Sequence, residues 1–124
     1  MAYILVAEDE ESVRAFVVRA LTYRGHKVKS VPDGSAALAA LGRETFDLVL
    51  TDIVMPVVDG IALALKVAQD YPSLKVLMMT GYADEKQRAH NLDLLIHDVV
   101  AKPFTLEQIC DAVDSALASS NTTR

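Results

Sequence analysis

Four short apolar runs alternate along this chain with stretches of helical periodicity, and each run ends in polar residues with chemistry to offer. Tyr3–Ala7 leads into Glu8-Asp9, Leu48–Leu50 into Thr51-Asp52, Val76–Met79 into Thr80-Gly81, and Val99–Ala101 into Lys102-Pro103. Residues 26–31 add a shorter, half-polar strand. A strand that is apolar on both sides must be covered on both sides, as in a parallel sheet flanked by helices. The alternation predicts an α/β fold: a doubly wound, five-stranded parallel sheet with five helices.

The helical segments carry their own punctuation. Val13, Phe16, Val17, Ala20 and Leu21 recur at i, i+3, i+4, i+7 and i+8, with Gly25 as a stop. Asp33 is a natural N-cap for an Ala-rich helix over 34–43. Ile61, Leu65 and Ala68 are expected to line the buried face of a helix that stops before Pro72. Residues 84–96 read as a helix with a poor stripe. Thr105 and Gln108 have the spacing of a capping box, opening a last helix with Leu106, Ile109, Cys110, Val113 and Leu117 inward. These elements make one domain over residues 1–118, with 119–124 as a polar tail.

With 124 residues, 52% of them hydrophobic, the chain can bury a core without a metal or disulfide staple. Its net charge of −5 argues against direct contact with nucleic acid or an anionic membrane surface. The single Cys110 excludes an internal disulfide and suits a reducing compartment. No apolar run reaches the roughly 18 residues of a membrane helix, and the start lacks a signal-peptide pattern. A cytoplasmic protein is expected.

In a doubly wound sheet, ligands bind outside the carboxyl ends of the strands. With strand order 2-1-3-4-5, Glu8, Asp9 and Asp52 converge there, flanked by Thr80 and Lys102. Crowded carboxylates resist ionising together, and a divalent cation relieves that cost. Oxygen donors with few protein ligands favour Mg²⁺. A carboxylate beside Mg²⁺ and a lysine can attack a phosphoryl group and become an aspartyl phosphate. Asp52, at the end of the central strand, is the nucleophile candidate.

Glu8-Asp9, the stretch Asp52-Ile53-Val54-Met55-Pro56-Val57-Val58-Asp59-Gly60, Thr80-Gly81 and Lys102-Pro103-Phe104 together resemble the receiver domain of two-component response regulators. The resemblance covers essentially the whole chain. It implies that Asp52 is the phosphoacceptor. Glu8, Asp9, Asp52 and the Val54 carbonyl would hold Mg²⁺, and Thr80 and Lys102 would bind the phosphoryl group. It implies a cis peptide before Pro103, and makes Asp59-Gly60 turn chemistry. The likeness is to stand-alone receivers, with no DNA-binding or enzymatic output domain. Within the family it runs to the alphaproteobacterial cell-cycle receivers that act as adaptors for an ATP-dependent Clp protease. The implied partners are a histidine kinase or histidine phosphotransfer protein upstream and an effector protein downstream, the receiver being a monomer or weak dimer. It would not be a conventional enzyme.

Two positions depart from the family pattern. Val99 stands where many receivers carry a switch tyrosine or phenylalanine, and Tyr82 is the nearest aromatic to Thr80. Val54 and Tyr82, two residues after Asp52 and Thr80, replace the polar residues of fast-dephosphorylating receivers, so a long-lived phosphoryl group is expected. Among other functions, a dehalogenase-type phosphatase needs a second Asp where Val54 stands. A flavodoxin would carry a Ser/Thr-rich loop after its first strand, and a P-loop enzyme needs GxxxxGK[ST], which is missing. The serious rival is a degenerate receiver acting as a phosphate-independent adaptor. Glu10 and Glu11 read as acids favoured at a helix start. His26, His90 and His97 share no metal spacing and read as surface or boundary residues. Met55, Met78 and Met79 read as packing, and Cys110 as a core thiol.

Overall fold

The computed structural model describes residues 2–81 and 96–118. Five parallel strands form one sheet: β1 (Tyr3–Ala7), β2 (Lys27–Val31), β3 (Leu48–Asp52), β4 (Lys75–Thr80) and β5 (Asp98–Ala101), in the order β2-β1-β3-β4-β5. Four helices lie among the described residues: α1 (Glu11–Tyr23), α2 (Gly34–Leu41), α3 (Gly60–Asp70) and α4 (Leu106–Ala118). The helix expected over 84–96, His90, Tyr82 and the tail after 118 lie outside the described residues.

Strand side chains alternate between faces, and the core divides accordingly. Ile4, Val6, Leu48, Leu50, Leu77 and Met79 pack beneath α1 and α4, against Val17, Leu21, Ile109 and Val113. Leu5, Val49, Val76 and Met78 pack on the other face beneath α2 and α3, against Ala37, Leu41, Leu63 and Val67. This is the doubly wound arrangement. Burying a large aliphatic side chain contributes about 1.5–3 kcal/mol, so the central strands dominate the hydrophobic stabilisation.

Local chemistry sets the helix ends. Asp33 caps α2, accepting from the Ala36 N–H at 2.7 Å. Thr105 and Gln108 form the reciprocal capping box: Gln108 N–H donates to Thr105 Oγ1 at 3.0 Å, and Thr105 N–H to Gln108 Oε1 at 2.8 Å. Gly25 ends the turn after α1 at φ +98°, a left-handed conformation that glycine adopts without cost.

One expected face is corrected. On α3 the buried set is Gly60, Leu63, Ala64 and Val67, while Leu65 is 51% exposed. This helix is apolar nearly all round, so periodicity alone leaves its rotation open. Leu117, expected inward on α4, is only partly buried, and Ala116 takes the buried place.

Polar links tie α4 to the base of the sheet. Arg24, just past α1, pairs with Asp114 and with Asp111 at 3.3 Å. His26 accepts at Nδ1 from the Ala2 N–H and lies 3.0 Å from Asp114 through Nε2. Lys75 donates to the Ala116 carbonyl at 2.8 Å. No described helix is long and apolar enough to cross a membrane.

Candidate functional site

Strands β1 and β3 are neighbours, so their carboxyl ends bring three acids together. Glu8 and Asp9 follow β1, and Asp52 ends β3. One oxygen from each lies within 4.8 Å of the other two. Glu8 is fully buried, Asp52 is 8% exposed, and Asp9 faces solvent.

Lys102 enters from the end of β5. Its Nζ is 2.8 Å from Glu8 Oε1 and 3.2 Å from Asp52 Oδ2. Thr80 is buried at the end of β4, one residue beyond Met79, which pairs with Asp52. The Lys102 N–H donates to the Thr80 carbonyl at 2.7 Å. The Lys102–Pro103 peptide is cis.

The backbone orients both buried acids. Glu8 Oε2 accepts from the Glu10 N–H, and Asp52 Oδ1 from the Ile53 N–H, each at 3.0 Å. Burial pushes the Asp52 carboxyl up to about 6 from its ordinary 3.8, and the charge on Glu8 adds to the rise; Lys102 and the Ile53 N–H pull the other way. Burial works against the Lys102 ammonium. The bond to Glu8 and the charges of Asp52 and Glu8 outweigh it and raise its pKa.

The loop after Asp52 is closely folded. Gly60 N–H donates to the Ile53 carbonyl at 2.7 Å, and a Cβ at Gly60 would lie 2.1 Å from the Asp52 carbonyl oxygen. Asp59 caps α3 by accepting from the Ala62 N–H at 2.9 Å, so the Asp59-Gly60 pair opens a helix as well as turning the chain. Val58 N–H donates to the Pro56 carbonyl at 2.9 Å across Val57, whose φ is +70°. That is a γ-turn with a β-branched residue in the left-handed region, a strained combination. Val54 is half exposed on this loop, and Val99 is buried in β5.

Three contacts carry no signal in the sequence. Arg14 Nη1 donates to the Glu8 carbonyl at 2.8 Å, and Thr51 Oγ1 to the Asp52 carbonyl at 2.9 Å. The third is the Asp114–His26 pair. The Asp114–His26 pair depends on tertiary approach, while the Thr51 bond lies between adjacent residues. Val57 was legible in part, since a β-branched residue between Pro56 and Asp59-Gly60 conflicts with turn chemistry.

Three carboxylates face one ammonium, and all the candidate donors are oxygens. That donor set suits a hard divalent cation such as Mg²⁺, which would offset the burial and the Glu8 charge that lift Asp52.

A family model of the response regulator receiver domain matches residues 4–114. The chain belongs to that family. It is a two-component signalling receiver, not a conventional enzyme. It is 36% identical over 120 residues to the response regulator receiver protein CpdR of Brucella abortus, covering 97% of this chain and 100% of that one. It is also 36% identical over 106 residues to the transcriptional regulatory protein TcrA of Mycobacterium tuberculosis, covering 86% of this receiver but 42% of TcrA. Among solved structures it is similar to the response regulator TrrA of Thermotoga maritima in complex with Mg²⁺ and BeF. The TM-score is 0.85 at 25% identity, over 94% of this chain and 99% of that one.

Proposed function

We propose that this receiver is a phosphorylation switch that accepts a phosphoryl group on Asp52 and presents the result through a protein surface. The observation that carries the reading is the placement of Asp52 between an acid pair and Lys102, at the carboxyl edge of the sheet. Glu8, Asp9, Asp52 and the Val54 carbonyl would hold Mg²⁺. When bound, the ion neutralises charge on the transferring group.

The remaining chemistry belongs to the chain. An Asp52 carboxylate oxygen attacks phosphorus in line with the leaving group. With a phosphohistidine donor the P–N bond breaks as the O–P bond forms, and the electron pair stays on the imidazole nitrogen. Lys102 leaves its ion pair with Asp52 and binds an oxygen of the incoming group, while the Thr80 hydroxyl donates to another. These new contacts bias a two-state equilibrium of the domain. Val99 lacks the ring and hydroxyl that a switch tyrosine would carry, so Tyr82 is proposed as the aromatic that responds. Val54 and Tyr82 would shield the acyl phosphate from water.

The upstream partner is a histidine kinase or a histidine phosphotransfer protein in the cytoplasm. The downstream partner is a protein effector, and the full-length match to CpdR supports an adaptor role toward an ATP-dependent Clp protease. The test is intact mass after incubation with Mg²⁺ and acetyl phosphate, with Asp52→Asn alongside. A Mg²⁺-dependent gain of one phosphoryl, absent in the variant, is expected. An equal gain in Asp52→Asn would overturn the site assignment. A chain that neither binds Mg²⁺ nor takes phosphate from its kinase would be a phosphate-independent adaptor.

A further inference from the structure

The molecule is acidic overall, yet its charge is unevenly placed. Between Ser12 and Pro32 there are five cations, Arg14, Arg19, Arg24, Lys27 and Lys29, and no acid. This stretch is α1 and β2, and β2 is an edge strand of the sheet. Four of the cations are engaged within the fold, Arg14 through one N–H to the Glu8 carbonyl. Arg24 pairs with Asp111 and Asp114, Lys29 with Glu44 at 3.4 Å, and Lys27 lies 4.7 Å above the Tyr3 ring. Arg19 is exposed and makes no ion pair or hydrogen bond among the described residues.

Along this face runs a groove of about 680 Å³, with Ala15, Val18 and Thr22 along it, Arg14, Arg19 and one acid, Glu11, lining it beside them, and Tyr23 also in its wall. Tyr23 is 80% exposed. It is a large ring with a hydroxyl, standing in water beside an apolar strip. Exposed aromatics and arginines are the residue types that dominate protein contacts. The groove lies on the shoulder of α1 turned toward β2. The cleft toward Phe104 and Lys102 lies along its opposite side, beside Val13 and Phe16.

We propose that the α1–β2 groove docks an acidic segment of a partner protein. One aliphatic or aromatic side chain of that segment seats on Ala15 and Val18 beside Tyr23, and its carboxylates pair with Arg19 and with the free N–H groups of Arg14. Charge complementarity selects this occupant: the protein is acidic overall, yet Arg14 and Arg19 outnumber Glu11 along this groove. A nucleic acid is the poorer fit, because most of the cations here are already paired and an apolar strip has no use for phosphates. Arg14 also holds the Glu8 carbonyl, so an occupant of the groove touches a residue anchored at the candidate site.

The test is selection of random 12-residue peptides on the full chain, with counter-selection against Arg19→Glu. Enriched peptides should combine several Asp or Glu with one large apolar residue. Their affinity should fall at least tenfold in Arg19→Glu and in Val18→Asp, fall with added salt, and stay within threefold in Arg19→Lys. Amide shifts on binding should centre on Ala15, Val18, Thr22 and Tyr23. Thermal melts of each variant confirm folding; Arg19 is exposed and Val18 is half-buried. Enriched peptides that are neutral or basic, that bind Arg19→Glu equally, or that shift other residues would overturn the proposal. So would tighter binding of a 12-nucleotide DNA than of the selected peptides at the same salt.

Discussion

Lys102 Nζ stands 3.2 Å from Asp52 Oδ2 at the carboxyl edge of the sheet, and the same ammonium donates to Glu8 at 2.8 Å. One cation thus serves two buried acids, with the Asp9 carboxylate within 4.8 Å of both. Three carboxylates against one ammonium give the site an excess of negative charge. Its energetics follow from that excess.

Asp52 titrates near 6 in the folded protein against an ordinary 3.8. The folded state therefore binds this proton more tightly than the unfolded state does. The associated stability is full below about pH 4 and is lost as pH rises through 6. At pH 7.5 without Mg²⁺, Asp52→Asn is expected to raise stability by on the order of 2 kcal/mol. The gain should shrink toward pH 4, as read by urea melts across that range. A variant that is no more stable at pH 7.5 would contradict the charge excess.

Removing the shared cation has the opposite sign. Lys102→Met leaves Glu8 buried without its partner, and breaking such a pair costs roughly 3–5 kcal/mol. Mg²⁺ at millimolar concentration should restore more stability to this variant than it adds to the wild type. Thermal melts with and without Mg²⁺ measure both effects.

Val57 occupies the γ-turn at φ +70° while 83% exposed, so its side chain contributes little packing in return for the strain. Val57→Gly is expected to stabilise the domain by about 1 kcal/mol despite the greater freedom of glycine when unfolded. A loss of stability in chemical denaturation would show that the turn is relaxed.

Gly60 lies where a Cβ would meet the Asp52 carbonyl oxygen at 2.1 Å. Backbone cannot yield as a flexible side chain can, so Gly60→Ala must push the loop away from β3. A loss of roughly 2–4 kcal/mol is expected, together with slower phosphorylation by acetyl phosphate. Wild-type rates and stability in this variant would refute the close approach.

The lifetime of the phosphorylated form tests the proposed shield. Decay of the aspartyl phosphate should take minutes or longer, and Val54→Asn should shorten it several-fold by offering water a hydrogen-bond partner. Decay within seconds in the purified wild type, followed by intact mass, would remove the shielding role.

Much of this molecule follows from its chain alone. Apolar runs with polar ends specify a parallel sheet, since backbone polarity and side-chain burial leave few other ways to cover both faces. That sheet has its functional edge at the carboxyl ends, so the strand-end positions of Glu8, Asp9, Asp52, Thr80 and Lys102 were legible in the sequence. Asp33 and the Thr105–Gln108 pair were legible because capping is a local hydrogen-bond problem solved within four residues.

Other features were decided only when the elements met. The rotation of α3 placed Leu63 inward and Leu65 outward, because a helix apolar on several sides takes its phase from the sheet beneath it. Arg14 on the Glu8 carbonyl and His26 against Asp114 join residues whose approach depends on how whole elements pack. The raised pKa of Asp52 has the same origin. Its residue type supplies an ordinary carboxylate, and burial beside Glu8, which no local pattern encodes, makes that carboxylate costly to ionise.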